Sequence, residues 1–267
     1  MVAKLESETS MMKVEGSEVL GGFWNKLREE NGRWWKTRKW LVQCGIWLIL
    51  VNGITSIFIV ESRQTSATLS LGEILTVFTG VMGWMAAFGV IILTQSDIVD
   101  EKLSGTAEWI LSSPLSRGAF ILSKLLANSL WLLGIIVVLQ GVVFDMILGF
   151  FGFGTITIGY LVQGLALQGL HLFFWLSLII MLGTFFGSRN PVIGIPLIFL
   201  FVQRLIPEVL GPYFSWIQLA MPERLTDYSY LILTGGQLPS WVPVITMTSA
   251  SVIFIVLAVL RFRREEF

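Results

Sequence analysis

The sequence predicts an all-α integral membrane protein with six transmembrane helices. Hydrophobic residues make up 54% of the 267 positions and charged residues only 13%, and the mean hydropathy is +0.77. Several apolar runs reach the roughly 20 residues that a helix needs to cross a bilayer. A soluble globular chain carries more charge and lacks such runs. Composition therefore excludes a soluble core, and the run lengths favour membrane-spanning helices.

Six apolar runs set the predicted spans. They lie near 40–60, 72–95, 121–148, 157–185, 190–210 and 241–260, which gives a single transmembrane domain at 39–260 and a cytoplasmic tail at 261–267. The fifth run meets Arg204 after only 13 residues, which is too short to cross a membrane. We therefore expect its helix to continue to Leu210, where Arg204 and Glu208 are spaced to pair on one helix face.

The N-terminal arm divides into two parts. Residues 1–19 are polar and of mixed charge, which predicts a mobile segment. Within 20–38, aromatic and charged residues recur on opposite sides of a helix, as in a helix that lies in the headgroup layer. This pattern predicts an amphipathic elbow helix. The alternative is an aromatic flank that only anchors the first span.

The distribution of basic residues predicts the orientation of the chain in the membrane. With six spans both termini lie on one side, and 15 of the Lys and Arg residues fall on that side. The opposite side has only Arg63, Arg204 and Arg224. Cytoplasmic segments of membrane proteins carry an excess of Lys and Arg. Both termini and the loop at 97–120 are therefore predicted to be cytoplasmic, and the membrane is predicted to be the cell membrane.

The stretch from Asp97 to Lys124, which contains the loop at 97–120, is the most informative segment, because it places seven ionisable residues between two apolar runs. A Gly105-Thr106 break and a stop at Pro114 enclose a short helix of about 12 Å. A short helix held at a membrane surface suits docking into a groove of another protein. The alternative is an ordinary polar connector.

The same loop resembles the cytoplasmic loop of ABC type 2 permeases, the membrane subunits of ATP-driven exporters. Nine positions carry the resemblance: Glu101, Lys102, Gly105, Thr106, Glu108, Leu111, Pro114, Arg117 and Lys124. The resemblance implies a coupling helix that is seated on an ATPase subunit. It implies a working exporter of two permease chains and two ATPase subunits, with ATP and Mg²⁺ on the ATPase. The residues that would serve coupling are Glu101, Gly105, Thr106, Glu108, Trp109, Pro114 and Arg117.

The segment at 211–240 is too apolar for a free loop. Its pattern predicts one short helix around Trp216 and a second from Leu225 to Leu233. Short extracellular helices between the fifth and sixth spans are similar to the re-entrant helices of the same permeases, and such pieces are tolerated at membrane depth when protein covers them. A plain folded extracellular cap is the alternative.

Polar residues inside the spans are the other candidate functional positions, because lipid makes them costly. Gln168 and His171 share one face of the fourth span with Gly164 and Trp175, and Asn52 lies within the first span. We expect Asn52, Gln168 and His171 to line the path of the transported molecule. The alternative is that these side chains bond to a neighbouring helix.

The sequence gives little support for nucleotide binding, metal binding or catalysis by this chain. The chain has no phosphate-binding Gly-x-x-x-x-Gly-Lys motif, and a single histidine gives no His-Glu-x-x-His metal pair. We therefore expect a non-catalytic subunit without a metal, a cofactor or a nucleic-acid partner of its own, surrounded by membrane lipid. Two alternatives stay open: an ion-coupled secondary transporter that titrates His171 or Asp145, and an intramembrane enzyme acting on lipids or peptides.

Overall fold

The computed structural model describes residues 22–65, 69–105 and 115–264. Three segments lie outside the described residues. They are 1–19, which was predicted to be mobile, 106–114, which was predicted to form the short helix of the loop, and 265–267 in the predicted tail. Every regular element in the described residues is helical, and five stretches are long and apolar enough to cross a membrane. The chain is therefore an all-helical membrane protein.

The helices follow one another with short connections. Helix α1 spans Phe23–Lys36, α2 Lys39–Gln64, α3 Leu71–Thr94, α4 Val99–Leu103, α5 Arg117–Phe150, α6 Ile158–Phe185, α7 Arg189–Val202, α8 Leu205–Leu210, α9 Glu223–Leu233 and α10 Val242–Arg263. A 3₁₀ helix at Ser215–Leu219 precedes α9. The two short helices expected within 211–240 are thus present.

Helix α6 forms the centre of the bundle. It packs against α10, α9, α3 and α7. In its most apolar window 67% of the residues are buried, against 22% for α10 and 28% for α2. The exposed sides of α2 and α10 carry Val, Ile and Leu residues. Because a bundle in lipid needs no polar outer surface, this pattern suits helices that surround α6 and face hydrocarbon.

Helix α3 begins with a complete capping box. The Ser70 hydroxyl accepts a hydrogen bond from the Glu73 backbone N–H, and the Glu73 carboxylate accepts one from the Ser70 backbone N–H. Each side chain therefore satisfies a donor that the first helical turn leaves unpaired. This arrangement fixes where α3 begins.

The fifth predicted span differs from the structure. A continuous helix to Leu210 was wrong: α7 ends at Val202 after 14 residues, and α8 begins at Leu205. Pro207 supplies the reason, since it has no N–H to donate to the Gln203 carbonyl, which is the bond a continuous helix would make there. Arg204 also pairs with Glu223 at 3.6 Å, across the bundle, instead of with Glu208.

Helix α1 falls within the predicted elbow segment, and charged residues lie on the side that it buries. The pattern assigned the aromatic residues to one side and left the charged residues to the other. In the structure Lys26 and Glu30 are 3% and 8% exposed, whereas Trp24 and Trp35 are exposed. The reason lies in α5, which packs on α1 and presents the polar residues Lys124 and Asn128 to it.

Candidate functional site

The described part of the 97–120 loop contains α4. Four residues of turn separate it from α3, and Gly105 beyond its end has a φ of 69°. Glycine adopts this left-handed conformation without the strain that a β-carbon brings. The backbone direction thus changes at Gly105, where the sequence predicted a break.

Glu101 on α4 is the centre of a buried group of charges. Its Oε1 accepts a hydrogen bond of 2.8 Å from Arg33 Nη1 on α1 and one of 2.9 Å from Lys124 Nζ on α5. Glu101 is 8% exposed and Lys124 3%. Buried charges are tolerated when they are paired in this way. One carboxylate oxygen therefore joins α1 to both ends of the loop.

Glu30 on α1 extends this group. Its Oε1 lies 3.0 Å from Lys26 Nζ and 3.3 Å from Lys124 Nζ. Burial by itself raises the pKa of Glu30, but the combined attraction of Lys124, Lys26 and Arg33 outweighs it and holds the pKa below the ordinary value. We call Lys26, Glu30, Arg33, Glu101 and Lys124 the charge network.

A second layer of polar and aromatic contacts holds α1 on α5. Asn128 donates to Asp97 and accepts a 3.3 Å hydrogen bond from the Trp34 indole N–H. The Trp131 indole N–H donates to Asn31 at 3.0 Å, and the Trp34 and Trp131 rings stack 5.9 Å apart. Each indole thus packs its ring while its N–H finds a partner.

Contacts to more distant helices surround the two ends of the loop. Arg189 Nε and Nη2 each donate to Asp100 at 2.7 Å, in the two-bond geometry typical of Arg and carboxylate. Lys102 Nζ donates to the Thr184 carbonyl at 3.2 Å. On the other side Arg117 Nη1 donates to the Arg263 carbonyl at 2.7 Å. The loop is therefore connected to the α6–α7 junction and to the end of α10.

A cavity of about 480 Å³ opens beside the charge network. Its wall combines network residues with residues of α2 and of the α3–α4 turn: Glu30, Arg33, Trp34, Thr37, Lys39, Val42, Gln43, Leu93, Ser96, Asp97, Asp100, Glu101, Lys124 and Asn128. The opening leaves room for water and for side-chain movement.

The residues predicted to serve ATPase coupling fall in different places. Thr106, Glu108, Trp109 and Pro114 lie outside the described residues. Gly105 lies at the turn, and Arg117 is the first residue of α5, where its side chain meets the end of α10. Glu101 is inside the network and only 8% exposed, so its place suits positioning of the loop instead of direct contact with another protein.

The three residues predicted to line the transport path also separate. Asn52 donates to Gln140 Oε1 at 2.7 Å, where α2 and α5 both become π-helical. Gln168 is fully buried, and neither polar atom of its amide has a partner in the part of the chain that the structure describes. His171 accepts a 3.0 Å hydrogen bond from the Trp175 indole N–H and lines a second cavity, of about 380 Å³. Of the three, His171 is the one that lines this polar space.

The charge network was not predicted from the sequence. Lys124 carried a signal, since a lysine in the second turn of an apolar helix needs a carboxylate if it is buried. The sequence alone does not say which of the nearby acids supplies it. Among the described residues, no group of three or more His, Cys, Asp or Glu side chains could hold a metal ion.

Comparison with known families gives one assignment. Residues 40–267 match the family described as a protein of unknown function, DUF2705. A search of curated proteins found no match. The matched range includes the loop, α5 and the helices around α6, and it begins just beyond α1.

Proposed function

The chain belongs to the DUF2705 family, and we propose that it is the permease subunit of an ATP-driven exporter of the ABC type 2 class. The observation that supports this proposal best is the shared carboxylate of Glu101. Through Arg33 and Lys124 it joins the beginning of the 97–120 loop to α1 and to the foot of α5. A force applied to the loop would therefore reach three helices together.

The proposed topology has six spans, with α7 and α8 together as the fifth. The chain lies in the cell membrane, and both termini and the loop face the cytoplasm, in agreement with the distribution of Lys and Arg. Helix α1 lies along the inner leaflet as the elbow helix. The 3₁₀ helix and α9 then belong to the outer side of the bundle.

In the proposed mechanism the chain transmits motion and performs no chemistry. Two ATPase subunits bind ATP and Mg²⁺, and a second permease chain completes the exporter. The segment at 106–114 docks on an ATPase subunit, and Glu108 and Trp109 make the contact. Closure of the ATPase displaces this segment, and the charge network passes the displacement to α1 and α5. A rigid lever joined to two helices is suited to a two-state switch.

The proposal is tested by recovery of an ATPase subunit with the tagged chain from its native membrane. Glu108→Lys reverses a charge at the predicted contact, and Gly105→Leu forces a side chain into a φ of 69°. Both variants should insert normally but recover about tenfold less ATPase, which corresponds to the loss of about 1.4 kcal/mol of binding.

The matched control is Glu61→Lys, an equal charge reversal at an exposed residue near the far end of α2. It should recover as much ATPase as the unaltered chain. Equal recovery by Glu108→Lys, Gly105→Leu and Glu61→Lys would remove the coupling assignment.

One observation favours a second candidate, the ion-coupled secondary transporter. His171 lines a polar cavity, as a residue that exchanges protons with a transport path would. The two candidates differ in their energy source. A protonophore should abolish uptake or export by an ion-coupled transporter in vesicles loaded with ATP, whereas an ATP-driven exporter keeps working until a vanadate-type inhibitor blocks the ATPase.

A further inference from the structure

The second cavity lies at the end of the bundle away from the charge network. Four elements form its wall, namely the first half of α3, the middle of α6, the α7–α8 junction and α9. We call it the polar cavity; its lining residues are Thr76, Thr79, Gly80, Gly83, Trp84, His171, Gln203, Arg204, Glu223, Thr226, Asp227 and Tyr230. None of them belongs to the charge network described above.

Three of these residues carry buried polar atoms that have no partner among the described residues. They are Gln203 Oε1, Thr226 Oγ1 and His171 Nδ1. Gln203 and His171 are each 1% exposed. A buried polar atom without a hydrogen bond costs free energy, and a bound group that supplies the bond recovers it. Three residues of one cavity wall carry such atoms, and this concentration favours a binding site.

The unpartnered atoms are mainly acceptors. Gln203 Oε1 can only accept, and the Thr226 hydroxyl can accept or donate. Since His171 Nε2 accepts from Trp175, its Nδ1 carries the proton and is the one unpartnered donor of the three. A single water can satisfy that donor. The acceptors therefore decide which ligand group fits.

The charge of the cavity points the same way. Its wall contains two acids, Glu223 and Asp227, and one base, Arg204. Arg224, which is not part of the wall, donates a 3.0 Å hydrogen bond to Asp227, so Glu223 is the acid that a ligand would meet. Arg204 is largely exposed, and its Nε lies 3.6 Å from Glu223 Oε1, which is too far for a hydrogen bond. Burial and the neighbouring Asp227 raise the pKa of Glu223 despite the attraction of Arg204. A cation at this carboxylate would relieve both effects.

An apolar groove of about 490 Å³ adjoins the polar cavity. Trp84 lines both spaces, and its ring meets that of Phe201 edge-on at 5.3 Å. The rest of the groove is almost wholly apolar, with Ile46, Leu50 and Phe88 among its residues. A ligand whose polar head occupies the cavity therefore has an apolar surface beside it for a tail.

We propose that the polar cavity binds a primary ammonium group and that the adjoining groove holds the alkyl chain attached to it. The ammonium donates to Gln203 Oε1, Thr226 Oγ1 and the Glu223 carboxylate, which a quaternary ammonium cannot do. This site goes beyond the proposed function, because binding requires only this chain and no ATPase.

The test measures binding of octylammonium to the purified chain in phosphatidylcholine nanodiscs by titration calorimetry. Octyltrimethylammonium, octanol and octanoate carry the same chain on different heads. Octylammonium should bind at least tenfold more tightly than each of the three, as a charge-assisted hydrogen bond lost from a buried site predicts. Equal binding of octanol, tighter binding of octanoate or absence of octylammonium binding would overturn the proposal.

Two variants locate the site. Glu223→Gln and Thr226→Val should each weaken octylammonium binding, the first by about tenfold. Glu208→Gln is the matched control, because Glu208 lines a smaller neighbouring cavity and not this one. An unchanged affinity in folded Glu223→Gln would refute the assignment, and this variant keeps the test decisive if Thr226→Val fails to fold.

The ammonium has two possible sources, a membrane lipid or a soluble amphiphile. Phosphatidylethanolamine carries a primary ammonium, and phosphatidylcholine a quaternary one. Nanodiscs that contain phosphatidylethanolamine should lower the apparent affinity for octylammonium if the ligand is a lipid headgroup. Unchanged affinity assigns the same ammonium site to a soluble amphiphile.

Discussion

Replacement of Lys124 by methionine is the most direct test of the charge network. The Lys124 amine lies 2.9 Å from Glu101 and 3.3 Å from Glu30, and all three side chains are buried. Methionine keeps most of the volume and the flexible apolar stem but removes the charge. The variant therefore leaves two buried carboxylates with less compensation, and we expect the folded state to lose stability.

The size of the stability loss depends on the ion pairs that remain after Lys124 is replaced. Removal of one partner from a buried ion pair costs about 3–5 kcal/mol. Here Arg33 still donates to Glu101 at 2.8 Å and Lys26 still lies 3.0 Å from Glu30, so the low end applies. We expect a loss of about 3 kcal/mol, which is roughly 150-fold in the unfolding equilibrium. In the double variant Lys124→Met/Glu101→Gln the loss should be about 2 kcal/mol smaller than the sum of the single losses.

The assay is unfolding by sodium dodecyl sulfate in mixed micelles, followed by circular dichroism, for the two single variants and the double variant. Arg189→Met is the control, because it breaks an ion pair whose side chains are 53% and 42% exposed. It should cost less than about 1 kcal/mol. The reasoning fails if the stability loss of the double variant equals the sum of the two single losses to within about 0.5 kcal/mol. It also fails if Lys124→Met loses no more stability than Arg189→Met.

Two further predictions concern packing and pH. Gly141→Ala should destabilise the chain by about 1–3 kcal/mol in the same unfolding assay, because the new methyl would lie 2.4 Å from Leu165 Cδ1. Gly169→Ala is the control. Its new methyl would have no neighbour within 4 Å, so this variant should be neutral or stabilising. Since the pKa of Glu30 is lowered from 4.5, its ionised form stabilises the fold above that pH, and the contribution disappears as the pH falls through the lowered value. Glu30→Gln should therefore flatten the acid side of a stability curve, and the exposed Glu61→Gln should not.

The sequence was most informative where a structural feature depends on neighbouring residues alone. Apolar run length located α2, α3, α5, α6 and α10, because crossing a membrane requires a set number of residues. The same reasoning failed for the fifth span. There run length favoured a continuous helix, while Pro207 removed one backbone hydrogen bond and let the chain turn at Gln203 and Arg204.

The candidate site was harder to predict, because its contacts join residues that are far apart in the chain. Arg33 and Glu101 are separated by 68 positions, and no pattern within either helix specifies the other. An amphipathic pattern in α1 shows that two sides differ, but it does not say which side meets a partner. Helix α5 decides this, because its buried Lys124 requires carboxylates and so draws the charged side of α1 inward. A buried charge in one helix can thus decide which side of another helix packs against it.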